Sequence, residues 1–195
     1  MRRRDFLKLQ AAAALSVGTA SLVGFAPKLL AAPYPDVAVV KAAPAAATRA
    51  AVEALGGMKA FVRPGQKVVI KPNMSFSASV ESATNTHPEV VRELLVMCSE
   101  AGAGSVRVLD HAFVGGSQSL ERSGILDACN SVMPGGCHNL TQERHYRESE
   151  LAGAREMKGN AFMADVLEAD VIIAAPVAKS HSSTGVSLSI KGQMG

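Results

Sequence analysis

The sequence predicts an α/β fold, a mainly parallel sheet with helices on both faces. Short β-branched apolar runs recur along the chain, at 67–71, 105–109 and 171–173. Between them lie stretches whose apolar residues fall at helical spacing. Strands alternating with helices build βαβ units, and their crossovers cover the sheet with helices. At 48% hydrophobic and 19% charged over 195 residues, the chain suits one domain with a real core rather than a disordered or fibrous protein.

Residues 1–31 read as an address label. Arg3-Arg4-Asp5-Phe6-Leu7-Lys8 is a twin-arginine pattern, followed by an alanine-rich, mildly apolar run over 9–26 and by the small residues Ala31 and Ala32. This resembles a Tat export signal. Arg2 stands where Ser or Thr is usual, and Leu29 or Leu30 occupies the −3 position of a cleavage site. Cleavage near Ala31 is expected, with an uncleaved N-terminal membrane anchor as the alternative. Ser, Thr, Gly and Gln interrupt the run, which argues against a transmembrane helix in the mature protein. The expectation is a periplasmic or otherwise exported protein whose first partner is the Tat machinery. Five of the 20 basic residues and one of the 17 acidic ones lie in this leader, so the formal +3 of the whole chain becomes about −1 without it. That removes the electrostatic argument for a nucleic-acid partner.

Residues 32–46 read as a linker with a first short strand at 37–41, and 47–195 as the α/β domain. Residues 45–62 have helix-forming composition, interrupted by Gly56-Gly57, and Arg63-Pro64-Gly65-Gln66 turns into the strand at 67–71. Pro72 stops that strand. A serine-rich loop over 75–85 leads to Thr86-His87-Pro88-Glu89, where either Thr86 or His87 caps a helix. Val91, Leu94, Leu95 and Cys98 form its apolar stripe, and Gly102 ends it. The strand at 105–109 ends in Asp110-His111, and Gly115-Gly116 is a weak phosphate-loop signal without the lysine of a P-loop. Ser117 opens helical burial that continues through Ile125, Leu126 and Val132. Residues 134–158 are polar and resist assignment, with His138 and His145 read as surface residues. A short helix is expected at 161–167. The run Val171, Ile172, Ile173 suits a strand buried on both faces, and Val186, Leu188 and Ile190 alternate with serines as a last strand ending at Lys191.

A parallel sheet gathers the carboxyl ends of its strands on one edge, where ligands bind in open α/β folds. Lys71 and Asn73, Asp110 and His111, Lys179 and His181, and Lys191 would meet there, with His87 at the start of a crossover helix whose free N–H groups favour an anion. Lys71, Lys179 and Lys191 are therefore the candidate catalytic residues, as base or nucleophile. Asn73, His87, Ser182 and Thr184 are candidate ligand contacts, and His181 with Asp110 a candidate metal pair. Each also has a plain reading as a solvated loop residue or a turn cap. Cys98, Cys129 and Cys137 lack the spacing of an iron–sulfur or zinc site, so no such cluster is expected from this chain alone. Cys98 lies on a helix's apolar face; Cys129 and Cys137 could pair in an oxidising compartment.

These residues together resemble the domain of unknown function family 362, proteins of bacteria and archaea. The matching pieces are Leu55-Gly56-Gly57, Pro64-Gly65, Val68-Val69-Ile70-Lys71-Pro72-Asn73, Thr86-His87-Pro88-Glu89-Val90-Val91, Ala101-Gly102-Ala103, Ala169-Asp170-Val171-Ile172-Ile173 with Pro176, Lys179-Ser180-His181, Thr184-Gly185-Val186, Ile190-Lys191-Gly192 and Met194-Gly195. Lys191-Gly192 departs from the Lys-Asn of the family pattern. The resemblance implies no established activity. Some members carry ferredoxin-like iron–sulfur modules, which suggests redox work in those proteins. It also implies a longer chain, so the sheet is expected to be incomplete at the C-terminal end and the sequence to be a fragment. Two function classes remain open at this point. One is an exported enzyme-like domain that binds a small anionic ligand, or a divalent metal, at the strand edge. The other is a non-catalytic binding or accessory module for an iron–sulfur redox partner.

Overall fold

The computed structural model describes residues 34–113 and 117–193. The twin-arginine segment, the Gly115-Gly116 pair and Met194-Gly195 lie outside them.

Ala-rich composition makes Pro44–Ala54 a helix, α1, with Pro44 at its first turn, where no N–H is needed. It stops at Gly56, whose φ of +107° only glycine adopts readily, and a Cβ there would meet the Tyr34 ring at 2.9 Å. A 3₁₀ turn at Met58–Ala60 then leads into β1 (Lys67–Pro72). The crossover helix α2 (Pro88–Glu100) returns the chain to β2 (Ser105–Asp110). Two short helices, α3 (Ser117–Arg122) and α4 (Ile125–Asn130), lead to β3 (Cys137–Asn139). An antiparallel hairpin follows, β4 (Tyr146–Glu150) against β5 (Gly159–Met163). After α5 (Ala164–Glu168) comes β6 (Val171–Ala175), then a second small hairpin, β7 (Lys179–His181) with β8 (Gly185–Ser187).

The main sheet is parallel throughout, in the order β3-β2-β1-β6. The chain therefore steps from β1 to β2 to β3 in one direction and returns on the opposite side of β1. The carboxyl ends of β1 and β6 flank the point where the order reverses, the position at which sheets of this kind open a crevice.

The two faces are unequally covered. Val68, Ile70, Val106 and Val108 point into a large core with Val91, Leu94, Leu95 and Cys98 of α2, Leu120 of α3, and Ile125 and Cys129 of α4. Full burial of each such aliphatic side chain stabilises the fold by about 1.5–3 kcal/mol. The other face carries a smaller core of Val69, Leu109, Leu140 and Met163, closed by Tyr146 of β4 and Val166 of α5. An ion pair between Arg107 of β2 and Asp165 ties α5 to this face.

Several expectations are corrected. No strand forms at 37–41: the segment is irregular, with Val37 and Val39 exposed to solvent, and among the described residues no strand pairs with it. β6 is buried on one face only. Its free edge and uncovered second face leave Ile172 45% exposed, so a β-branched run that looked interior sits at the sheet's border. Residues 161–163 are the end of β5, and the helix begins only at Ala164. The unassigned 134–158 stretch supplies β3 and β4. The last strand ends at Ser187 and pairs with Lys179–His181, which is itself a strand rather than a loop.

Candidate functional site at the carboxyl edge of the sheet

Lys71 lies near the end of β1, with its side chain turned into the protein. Its Nζ is 2.6 Å from Oδ1 of Asp110, the last residue of the neighbouring β2, and both residues are buried. Parallel register makes the pair, since β1 and β2 end side by side. The second carboxylate oxygen, Oδ2, accepts the N–H of Met74 at 2.8 Å. Two opposite charges removed from water together neutralise one another, and the extra amide donor shares in the compensation.

Thr86 joins the carboxyl ends of β1 and β6. Its Oγ1 accepts the N–H of Asn73 at 2.9 Å and donates to the carbonyl of Ala175 at 2.6 Å, while its own N–H donates to the Asn73 carbonyl at 2.8 Å. Thr86 thus ties the two strand ends together at the switch point. The loop between β1 and α2 is held from within by Asn85, which accepts the Phe76 N–H and donates to the Phe76 carbonyl. In this loop the Ser77 hydroxyl is buried without a hydrogen-bond partner.

Lys179 enters from β7 and lies across the loop. Its Nζ donates to the Thr84 carbonyl at 2.5 Å and stands 4.5 Å from the centre of the Phe76 ring, a cation–π arrangement. The 3₁₀ turn Lys191–Gln193 packs against β1 and β6, with Gly192 so close to Pro176 that a Cβ would stand 3.1 Å from the proline Cβ. Glycine at that position, the departure from the family pattern, therefore has a steric rationale here. The turn brings the Lys191 charge to bear on Lys179. Burial and then that like charge push the Lys179 pKa below the ordinary lysine value, and Asp110 partly offsets them. Lys71, Asp110, Lys179 and Lys191, far apart in sequence, thus share one edge.

The other expected residues take different parts. His87 caps α2, its Nδ1 accepting the Glu89 N–H at 3.2 Å, so of the two possible caps the structure uses His87. The amides expected to be open to an anion are engaged: Pro88 has none, Glu89 donates to His87 Nδ1, and Val90 donates to the His87 carbonyl. His181 Nδ1 accepts the N–H groups of Ser183 and Thr184, each at 3.3 Å, and Thr184 Oγ1 donates to the Val186 carbonyl. His181, Ser182 and Thr184 thus form the tip of the β7–β8 hairpin, whose three-residue loop ends at Gly185 with φ of +75°. Asn73 Oδ1 accepts the Ser75 N–H at 3.3 Å. Both oxygens of Asp110 and the Nδ1 of His181 already have protein partners, and among the described residues no three His, Cys, Asp or Glu side chains gather as a metal-binding group.

His111, just after β2, sits edge-on to the ring of Tyr146. Tyr146 donates its hydroxyl proton to the Leu140 carbonyl at 2.7 Å, so its oxygen receives a proton from His111 Nδ1, also at 2.7 Å. Nδ1 is therefore the donor of this bond, and Tyr146 fixes the orientation of the imidazole. Burial and the Asp110 charge push the Tyr146 pKa up, which keeps its hydroxyl protonated. Thr84, Thr86, Phe76 and Tyr146 escaped the sequence reading. Only Thr86 left a trace in it, and there as a rival helix cap.

Comparison with known proteins bears on the whole chain. It is 28% identical over 156 residues to a thylakoid-associated protein of Synechocystis sp., a match covering 77% of this chain and 45% of that protein. The chain therefore spans about half the length of that relative. No solved structure matches it. Among the described residues no helix is long and apolar enough to cross a membrane. The model of the Domain of unknown function (DUF362) family matches residues 68–195, and the chain belongs to that family.

Proposed function

We propose that this DUF362 member is an exported protein that binds a small anion, a carboxylate or phosphate, at the carboxyl edge of its sheet. The observation that carries the reading is Lys179 itself, held against the Thr84 carbonyl and the Phe76 ring beside the switch point between β1 and β6, where burial and the Lys191 charge both disfavour its proton. Two cations that disfavour one another, one of them partly desolvated, gain when an anion comes between them. The partnerless Ser77 hydroxyl in the adjoining loop adds a donor that a ligand oxygen could satisfy. Titration calorimetry with inorganic phosphate and with acetate tests this. Lys179→Ala and Lys191→Ala should each weaken uptake of the bound probe by about 10–100-fold, the worth of a charged hydrogen bond. Uptake of neither probe by the parent protein, or unchanged affinity in both variants, would count against the site.

Within this reading Lys179 is the lysine best placed to act as base or nucleophile, because its proton is the more easily lost. Lys71 instead serves as the counter-ion that keeps Asp110 in place. That engagement favours the second reading, a binding or accessory module without turnover, over one in which Lys71 attacks a substrate.

Export rests on Arg3-Arg4 and is compatible with the thylakoid association of the Synechocystis relative. Replacing both arginines with lysine should leave the protein in the cytoplasmic fraction. Unchanged appearance in the exported fraction would remove the Tat assignment.

A further inference from the structure

The chain leaves α4 just after Cys129, reverses through 131–136 and enters β3 at Cys137. The reversal is tight: Val132 and Met133 both donate to the Cys129 carbonyl, and Gly136 donates to that of Met133. Both cysteines are buried in the large core, Cys129 at 0% exposure and Cys137 at 7%. The helix α4 packs on β3, and each of these two cysteines is the neighbour that acts most strongly on the other's thiol. Spacing alone could not show this, because a nine-residue segment fixes no distance between its ends. Cys98 sits in the same core on α2, and its burial pushes its thiol up to about 11, which leaves it a poor nucleophile.

We infer that Cys129 and Cys137 are an oxidisable pair that closes into a disulfide clamping α4 to β3, with a low-molecular-weight disulfide or a disulfide-exchange protein as oxidant. One cysteine thiolate attacks a sulfur of the donor disulfide, forming a mixed disulfide and releasing one donor thiol. The second cysteine, losing its own proton, then attacks the protein sulfur of that bond and releases the other donor thiol. Two S–H bonds are lost and one S–S bond is gained in the protein, and two electrons and two protons pass to the donor. The bond would be made before the core closes or through local opening of α4, a helix of only six residues.

The clamp has a bearing on the edge described above. Cys137 opposes Val108 in the sheet, and two residues on Asn139 opposes Asp110. Asn139 Oδ1 in turn accepts the Ala112 N–H at 2.8 Å, which fixes the chain just beyond Asp110 and His111. Pinning the first residue of β3 therefore pins the strand that supports the Asp110 end.

The test uses the full chain, incubated with oxidised glutathione or with excess reductant, then alkylated under denaturing conditions and mapped by mass spectrometry. Oxidised protein should show one alkylated cysteine, Cys98, and a linked peptide joining Cys129 to Cys137. Reduced protein should show three alkylated cysteines. The oxidised form should melt about 5–10 °C above the reduced form, the effect of closing a short loop in a chain of this size. Cys129→Ser and Cys137→Ser should each abolish the difference, and Cys98→Ser should keep it. Three alkylated thiols after oxidation, or a linkage to Cys98, would overturn the inference.

Discussion

Lys71, near the end of β1, and Lys179, beyond the end of β6, share a sequence setting, an apolar β-branched run and then a lysine leading into polar residues, yet they have different fates. Lys71 belongs to β1, which has neighbours on both sides, and the parallel register sets Asp110 beside it. Its charge is cancelled inside the protein. Lys179 follows β6 at the border of the sheet, is only partly buried, and meets the Thr84 carbonyl and the Phe76 ring rather than a carboxylate partner. The same residue type pairs with a buried carboxylate where the sheet surrounds it, and with a loop carbonyl and an aromatic ring where the sheet stops. Strand position, which local sequence does not encode, decides between the two.

The contrast can be broken first at the buried end. Asp110→Ala should destabilise the protein by about 3–5 kcal/mol, because it leaves the Lys71 ammonium buried without its carboxylate. Urea denaturation would measure this, and the pair of changes Lys71→Met with Asp110→Leu should recover most of the loss. A fall no larger than that of an ordinary surface change would mean that the pair is not desolvated together. At the border, Lys179→Ala should cost less, about 1–2 kcal/mol for the lost bond to Thr84 and the Phe76 contact, together with its effect on the anion affinity described above.

The contrast is sharpened further by pH. Burial and Lys191 lower the Lys179 pKa, so its cation is lost as pH rises through a value below that of an ordinary lysine. Sulfate keeps its charge across this range, and its binding should weaken over that window. Lys179→Arg, whose guanidinium stays charged, should carry binding to higher pH. Sulfate affinity followed by calorimetry at constant ionic strength provides the check. Coincident profiles for the parent and the arginine variant would assign the titration to another group.

Much of the fold was legible because it is written in local pattern. The β-branched runs of β1, β2 and β6, the α2 stripe from Val91 to Cys98, and the His87-Pro88 start of that helix each signal themselves within a few residues. The illegible parts depend on partners distant in sequence. Tyr146–Glu150 is polar and becomes a strand because Gly159–Met163 pairs with it. Residues 37–41 have strand-forming composition but, among the described residues, no strand to pair with, and they stay irregular. In the candidate site, the lysines and Asp110 were legible as strand-end residues. Thr86 was not recognised as the link between Asn73 and Ala175, because its two bonds reach 13 and 89 residues away.

By itself the sequence determined the α/β class, the order of its main strands and helices, and the set of polar groups that follow those strands, since periodicity and turn chemistry act over short stretches of chain. Only the tertiary structure decided that Lys71 is spent on Asp110 while Lys179 lies against Thr84 and Phe76, that α2 satisfies its own first amides, and that Cys129 and Cys137 share one core. The physical reason is common to all of these. Charge, burial and proton affinity depend on which atoms lie within a few ångströms, and strand order and packing choose those neighbours.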